Sequence, residues 1–245
     1  MAITRLEEFV PAFSRMLAEA ATVEDIIERG RPLLAELVSA QGWLREVLTR
    51  LIEDEAFLKA QWHSVDPNDI TIFRSPDKAY TVRAFIWEPF VRYPIHDHGA
   101  WGLVGAHINQ VGERKFERLD DGSQPYHAEI RLKSEAVLNV GETTFVLPAD
   151  AGIHQMECVN DRVAVTIHVY GAPVRKGYIN YFSPHDNTCR RVFPPQVLHK
   201  VLAIRTLGSV AEPWAEELLS RRLQADEPDY LREEYRRALA RLEGR

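Results

Sequence analysis

The sequence predicts an all-β core, a sandwich or double-sheet barrel, set between two helical flanks. From about residue 68 to 193 it breaks into short segments rich in β-branched and aromatic residues, which is the composition of strands. Turn signals such as S-P-D, D-D-G, D-A-G and S-P-H-D-N separate them, with no helical pattern between that would make βαβ units. On either side the apolar spacing changes to three and four, the period of a helix buried along one face.

In order, residues 1–62 form the first flank. Leu6, Phe9, Val10, Phe13, Met16 and Leu17 make one apolar stripe. Thr22 followed by Asp25 caps a second helix that runs to about Ser39, and Leu44, Val47, Leu48 and Leu51 mark a third. These helices carry no catalytic pattern and are expected to pack on the outside of a sheet. The core, 66–194, holds expected strands at 70–73, 80–88, 101–109, 115–119, 127–132, 143–147, 154–159, 163–170, 178–182 and 189–193. A closed double-sheet barrel is favoured because its interior can hold a small ligand among inward residues. After Pro194 and Pro195 the helical period returns with Val197, Leu198, Val201 and Leu202, and two further helices are expected at 214–223 and 230–242. With no internal repeat or long linker, 1–245 reads as a single domain whose helical flanks, the second at 195–245, could mediate a homodimer.

Composition excludes several classes of function. A net charge of -6 argues against a nucleic-acid or anionic-membrane surface, which rewards clustered Lys and Arg. No run of about 18 apolar residues could span a bilayer. The start, M-A-I-T-R-L-E-E-F, lacks the pattern of a secretory signal, so a cytoplasmic location is the expectation. Cys158 and Cys189 show no metal-type pairing and read as reduced, small buried side chains.

The chemistry-bearing residues are histidines. In P-I-H-D-H-G an extended backbone puts His96 and His98 on one face with Asp97 on the other, a half-site for a divalent metal. His154, in D-A-G-I-H-Q-M-E, follows a glycine turn on a short strand that could bring a third imidazole to the same centre. In V-A-V-T-I-H-V-Y-G, Thr166, His168 and Tyr170 lie at i, i+2 and i+4 and share one face of a strand. Imidazoles alone suit Fe, Zn, Cu or Ni. A structural zinc site would close at four protein ligands, and no fourth candidate stands out, so the open positions imply chemistry on something that coordinates there.

Four ordered motifs then carry a family resemblance. W-E-P-F-V-R-Y-P-I-H-D-H, G-I-H-Q-M-E, A-V-T-I-H-V-Y-G-A-P and Y-F-S-P-H-D-N-T, between about residues 80 and 192, resemble the cysteine dioxygenase superfamily, the thiol dioxygenases of the cupin fold. The resemblance implies a cupin double-stranded β-helix, or jelly-roll barrel. It implies Fe(II) held by His96, His98 and His154. His168 and Tyr170 would belong to an outer Ser-His-Tyr relay in which Thr166 stands for the serine, keeping its hydroxyl and adding a stiff methyl. The implied reaction places both atoms of O2 on the sulfur of a small thiol to give a sulfinic acid.

The chain departs from the family pattern in three places. The glutamate that the first cupin motif places four or five residues after its second histidine is replaced by Gly102 and Leu103, and Glu113 reads as lying in a turn beyond the strand. The cysteine that animal cysteine dioxygenases join to the active-site tyrosine falls at the same Gly102 or Leu103, so no crosslink can form. The arginine that binds the substrate carboxylate in the family falls near Ile70 or Thr71.

Arg83 shares strand parity with Phe85 and Trp87, and the three are the candidate substrate-binding residues; an inward arginine would demand an anionic partner. Arg74 and Arg175 read as exposed charges, and His63, His107, His127, His185 and His199 as surface or incidental core residues. The leading expectation is an Fe(II)-dependent dioxygenase of cysteine or a 3-mercaptopropionate-like thiol. The alternatives are a three-histidine cupin dioxygenase for a diketone, with Tyr170 and His168 as acid and base, and a metal-binding cupin without turnover.

Overall fold

The computed structural model describes residues 3–61 and 64–244; His63 lies outside them. The N-terminal helices are α1 (Leu6–Glu19), α2 (Val23–Ser39), α3 (Arg45–Glu53) and α4 (Glu55–Lys59). The expected cap forms: the Asp25 amide donates to Thr22 Oγ1 at 3.1 Å, and the Ala21 amide returns a bond to the Asp25 carboxylate. The short α4, not foreseen, is capped by Asp54, which accepts from the amides of Ala56 and Phe57 at 3.0 Å.

The strands are β1 (Asp69–Arg74), β2 (Tyr80–Trp87), β3 (Ile95–His96), β4 (Gly102–Ile108), β5 (Val111–Arg118), β6 (Ile130–Leu138), β7 (Thr143–Val146), β8 (His154–Cys158), β9 (Ala164–Gly171), β10 (Ile179–Ser183) and β11 (Thr188–Val192). They form a five-stranded sheet, β1-β2-β9-β4-β7, and a six-stranded sheet, β11-β10-β3-β8-β5-β6. From β2 onward the chain passes repeatedly from one sheet to the other, and the strand pairs are antiparallel. This is the double-stranded β-helix of the cupin fold, flanked by helices.

The five-stranded sheet is buried on both faces. Its outer face, with Val82, Leu103, Ile167 and Val169, packs on Phe9, Phe13, Leu34 and Leu37 of α1 and α2, each apolar side chain contributing about 1.5–3 kcal/mol when fully buried. A Cβ at Gly105 would meet Val38 at 2.9 Å, so glycine there lets α2 lie close on β4. The inner face sends Phe85, Trp87, Val104 and Ala106 against Val111, Leu138 and Met156 of the other sheet. That inner layer is the floor of the site.

Some boundaries differ from the expected ones. β6 runs from Ile130 to Leu138 instead of ending at 132, because its residues up to Val137 are exposed or half-exposed at a sheet edge and carry the charges that read as a loop. β5 begins at Val111, four residues early. The chain divides into two compact units, Met1–Arg175 with Ile179–Arg191, and Lys176–Tyr178 with Val192–Arg245. The second contains α5 (Pro195–Leu207), α6 (Pro213–Leu223) and α7 (Asp229–Glu243) around its own core of Val201, Ile204, Leu219, Leu231 and Tyr235.

Candidate metal centre

His96 and His154 stand directly opposite each other in the pairing of β3 with β8. His98 follows two residues on, beyond the end of β3, so the H-x-H pair does not lie within one strand as expected. A single 3-10 turn, Ala149–Gly152, precedes His154 and delivers it to the centre. The three ring centroids lie 4.7–4.8 Å apart, and one ligand atom from each ring falls within 4.8 Å of the others.

Each ring is oriented from behind. Nδ1 of His96 contacts the Pro94 carbonyl at 3.0 Å, Nδ1 of His98 the Gly152 carbonyl at 3.3 Å, and Nδ1 of His154 the Glu113 carboxylate at 2.8 Å. Nε2 is then the nitrogen left to each ring. Nε2 of His98 is buried and makes no hydrogen bond among the described residues. A buried polar atom in that state asks for a partner, and a divalent cation among three imidazoles supplies it. Burial, reinforced by the neighbouring histidines, holds His98 and His154 well below the ordinary imidazole range, so both are neutral donors. The residues fit a metal ion.

Glu113 corrects the sequence reading. It lies within β5 and not in a turn, it is 3% exposed, and its other oxygen accepts from Thr144 Oγ1 at 2.8 Å. The carboxylate absent from the first motif returns as the group that fixes the His154 ring. No local pattern marks it, because the contact spans 41 residues. Arg175 is also corrected: it is bound through both terminal nitrogens to buried Asp97, which also accepts from the Asn180 amide and side chain at 2.8 Å. The residue between His96 and His98 is thereby anchored away from the centre. Arg74 is exposed, as expected.

Thr166, His168 and Tyr170 lie in one hydrogen-bonded chain. Trp87 Nε1 donates to Thr166 Oγ1 at 2.8 Å, Thr166 Oγ1 meets His168 Nε2 at 2.7 Å, and His168 Nδ1 meets the Tyr170 hydroxyl at 2.9 Å. The tryptophan can only donate. Among the described residues the acceptor open to the hydrogen of Thr166 is His168 Nε2, which leaves the imidazole proton on Nδ1, pointing at the Tyr170 oxygen. Burial keeps His168 well below its ordinary range and hence neutral, and pushes Tyr170 up, opposed in part by Arg83. The Tyr170 ring stacks on His98 with centroids 5.5 Å apart. Gly102 stands opposite Tyr170 in the register, and a Cβ there would come within 2.6 Å of the ring.

Arg83, Phe85 and Trp87 face the interior with this relay. Phe85 lies 4.3 Å from the His168 ring, and the Arg83 guanidinium lies 5.7 Å from the Tyr170 centroid. The anionic partner that an inward arginine demands is Asp69, which takes Nη1 of Arg83. Of the other histidines, His107 is buried, with Nδ1 donating to the Val38 carbonyl at 2.9 Å, while His185 and His199 are exposed. Cys158 and Cys189 are unbridged and half-buried, not fully buried as read.

The fold and site together define a cupin-fold protein with a three-histidine cluster able to hold a metal. No protein-family model matches the sequence. Solved structures to which it is similar include a cupin 2 conserved barrel domain protein from Salinispora arenicola, at 14% identity over 44% of this chain and 80% of that one, TM-score 0.31. Another, from Rhodopseudomonas palustris, is 14% identical over 48% of this chain and 68% of that one, TM-score 0.36. A DMSP lyase from Ruegeria pomeroyi is 13% identical over 40% of this chain and 41% of that one, TM-score 0.29. Likeness of this degree assigns no chemistry. Among the described residues no helix is long and apolar enough to cross a membrane.

Proposed function

We propose that the protein is an Fe(II)-dependent thiol dioxygenase, converting a small thiol and O2 to the sulfinic acid, RSH + O2 → RSO2H. The observation that carries this reading is the direction of the relay that ends at Tyr170, beside the three-histidine cluster. His96, His98 and His154 would hold the iron, which when bound would supply the redox chemistry that joins dioxygen to the thiol sulfur.

The chain's own residues do the rest. His168 Nδ1–H holds the tyrosine oxygen, so the Tyr170 O–H is free to donate into the pocket. Burial keeps that hydroxyl protonated. Tyr170 is therefore a fixed hydrogen-bond donor that stabilises charge developing on a reacting oxygen. Phe85 and Trp87 exclude water from the same floor.

The diketone alternative needs Tyr170 and His168 to act as acid and base. A neutral His168 whose Nε2 already accepts from Thr166 and whose Nδ1 donates to Tyr170 has no free lone pair for that role. The relay direction thus favours the thiol reading. Anaerobic Fe(II) loading followed by oxygen-uptake assays against thiols and diketones tests it. Thiol-dependent uptake with sulfinate product is the expected outcome; uptake only with a diketone, or intact metal binding with no uptake, rejects it.

A further inference from the structure

Strands β7 and β6 each end a sheet, and a cavity of about 160 Å³ lies between them. An apolar cavity of roughly 150 Å³ holds one benzene ring, so this one takes a body of that size. Its floor is Val146, Ile153 and His154, all buried, and Phe116 and Phe145 wall it. Half-buried Lys115 and exposed Lys133 line it toward solvent. Successive residues of a strand normally face opposite ways, but the register shifts between Lys115 and Phe116, and this bulge turns both onto the cavity.

The cavity is apolar below and cationic above. Lys115 Nζ donates to the Phe145 carbonyl at 2.9 Å and lies 3.7 Å from the Glu113 carboxylate. An ammonium carries three hydrogens, so at least one is left for a ligand. Glu113 is already shared with Thr144 and His154. Arg31, 6.0 Å over the Phe145 ring, adds a third positive charge. Burial lowers the Lys115 pKa, Glu113 opposes that, and Arg31 and Lys133 reinforce it. A further anion would relieve the imbalance.

We propose that this cavity is a second binding site, for a small monocarboxylate whose apolar body is the size of one aromatic ring. The ring fills the space between Phe116 and Phe145, and the carboxylate meets Lys115 and Lys133. The site does not depend on the reaction proposed above. Its occupancy reaches the metal centre, because the lining includes His154 and also Gly152, whose carbonyl holds His98. A carboxylate on Lys115 weakens that lysine's hold on Glu113 and adds negative charge near the three histidines. Both effects tighten a divalent cation.

The test titrates benzoate, acetate and benzyl alcohol into the full chain by calorimetry at fixed ionic strength, on metal-free and on Co(II)-loaded protein. Benzoate is expected to bind both forms, at least about tenfold more tightly than acetate, which lacks the ring, or benzyl alcohol, which lacks the charge. Lys133→Ala, at an exposed position, should weaken benzoate by about tenfold. Benzoate should tighten Co(II) by the factor by which Co(II) tightens benzoate, and at equal benzoate this gain should fall in Lys133→Ala. No binding of benzoate to the metal-free chain, or the same affinity in Lys133→Ala, overturns the site. Equal affinity for acetate or benzyl alcohol overturns the ligand class, and a Co(II) affinity that benzoate leaves unchanged or lowers overturns the coupling.

Discussion

The Glu113 carboxylate sits 2.8 Å from Nδ1 of His154, and both groups are buried. A carboxylate there fixes the ring and raises its donor strength. Glu113→Gln should therefore lower metal affinity by about 10–100-fold without abolishing it, whereas His154→Ala should abolish binding. Metal content after dialysis against graded chelator, followed by mass spectrometry of the metal, separates the two; equal retention in wild type and His154→Ala would remove that histidine from the site.

Tyr170→Phe should retain the metal and slow turnover by about 10²-fold, the scale on which loss of one oriented donor acts. Metal content and oxygen uptake measured on the same sample check both halves. Unchanged turnover would show that the hydroxyl is a bystander.

Thr166→Val removes the hydroxyl that donates to His168 Nε2, and with it the bias that keeps the imidazole proton on Nδ1. Turnover should fall with little change in KM, and Thr166→Ser should restore it. Equal losses in the valine and serine variants would point to packing and not to the hydrogen bond.

Much of this arrangement was legible in the sequence. Strand parity alone placed Thr166, His168 and Tyr170 on one face, and Arg83, Phe85 and Trp87 on another that proves to be adjacent, because β2 and β9 pair with Arg83 opposite His168. Glu113 was not legible as a site residue. It acts through a contact between β5 and β8 that spans 41 residues, and it stands in no local motif. Asp97 and Arg175 escaped for the same reason, since their pairing spans 78 residues.

His107 gives the expected pH dependence of stability. Burial holds its pKa below the ordinary imidazole range, opposed by its bond to the Val38 carbonyl. The unfolded chain thus takes up a proton that the native ring refuses. The stability this neutral ring provides is complete above about pH 6.5 and is lost as pH falls below that value toward the native pKa. Denaturant midpoints at about pH 7.5 and about pH 5.5 should show a larger acid loss for the wild type than for His107→Gln. An identical pH slope for the two would refute the assignment.

The most direct measurement uses isotopic oxygen. Fe(II)-loaded protein supplied with a thiol substrate under ¹⁸O₂ should release a sulfinic acid carrying both labelled atoms, one O2 consumed per thiol, with the product absent in His154→Ala. A product with one labelled atom or none, or oxygen consumption that proceeds without any thiol, would contradict the assignment of this three-histidine centre to sulfur dioxygenation.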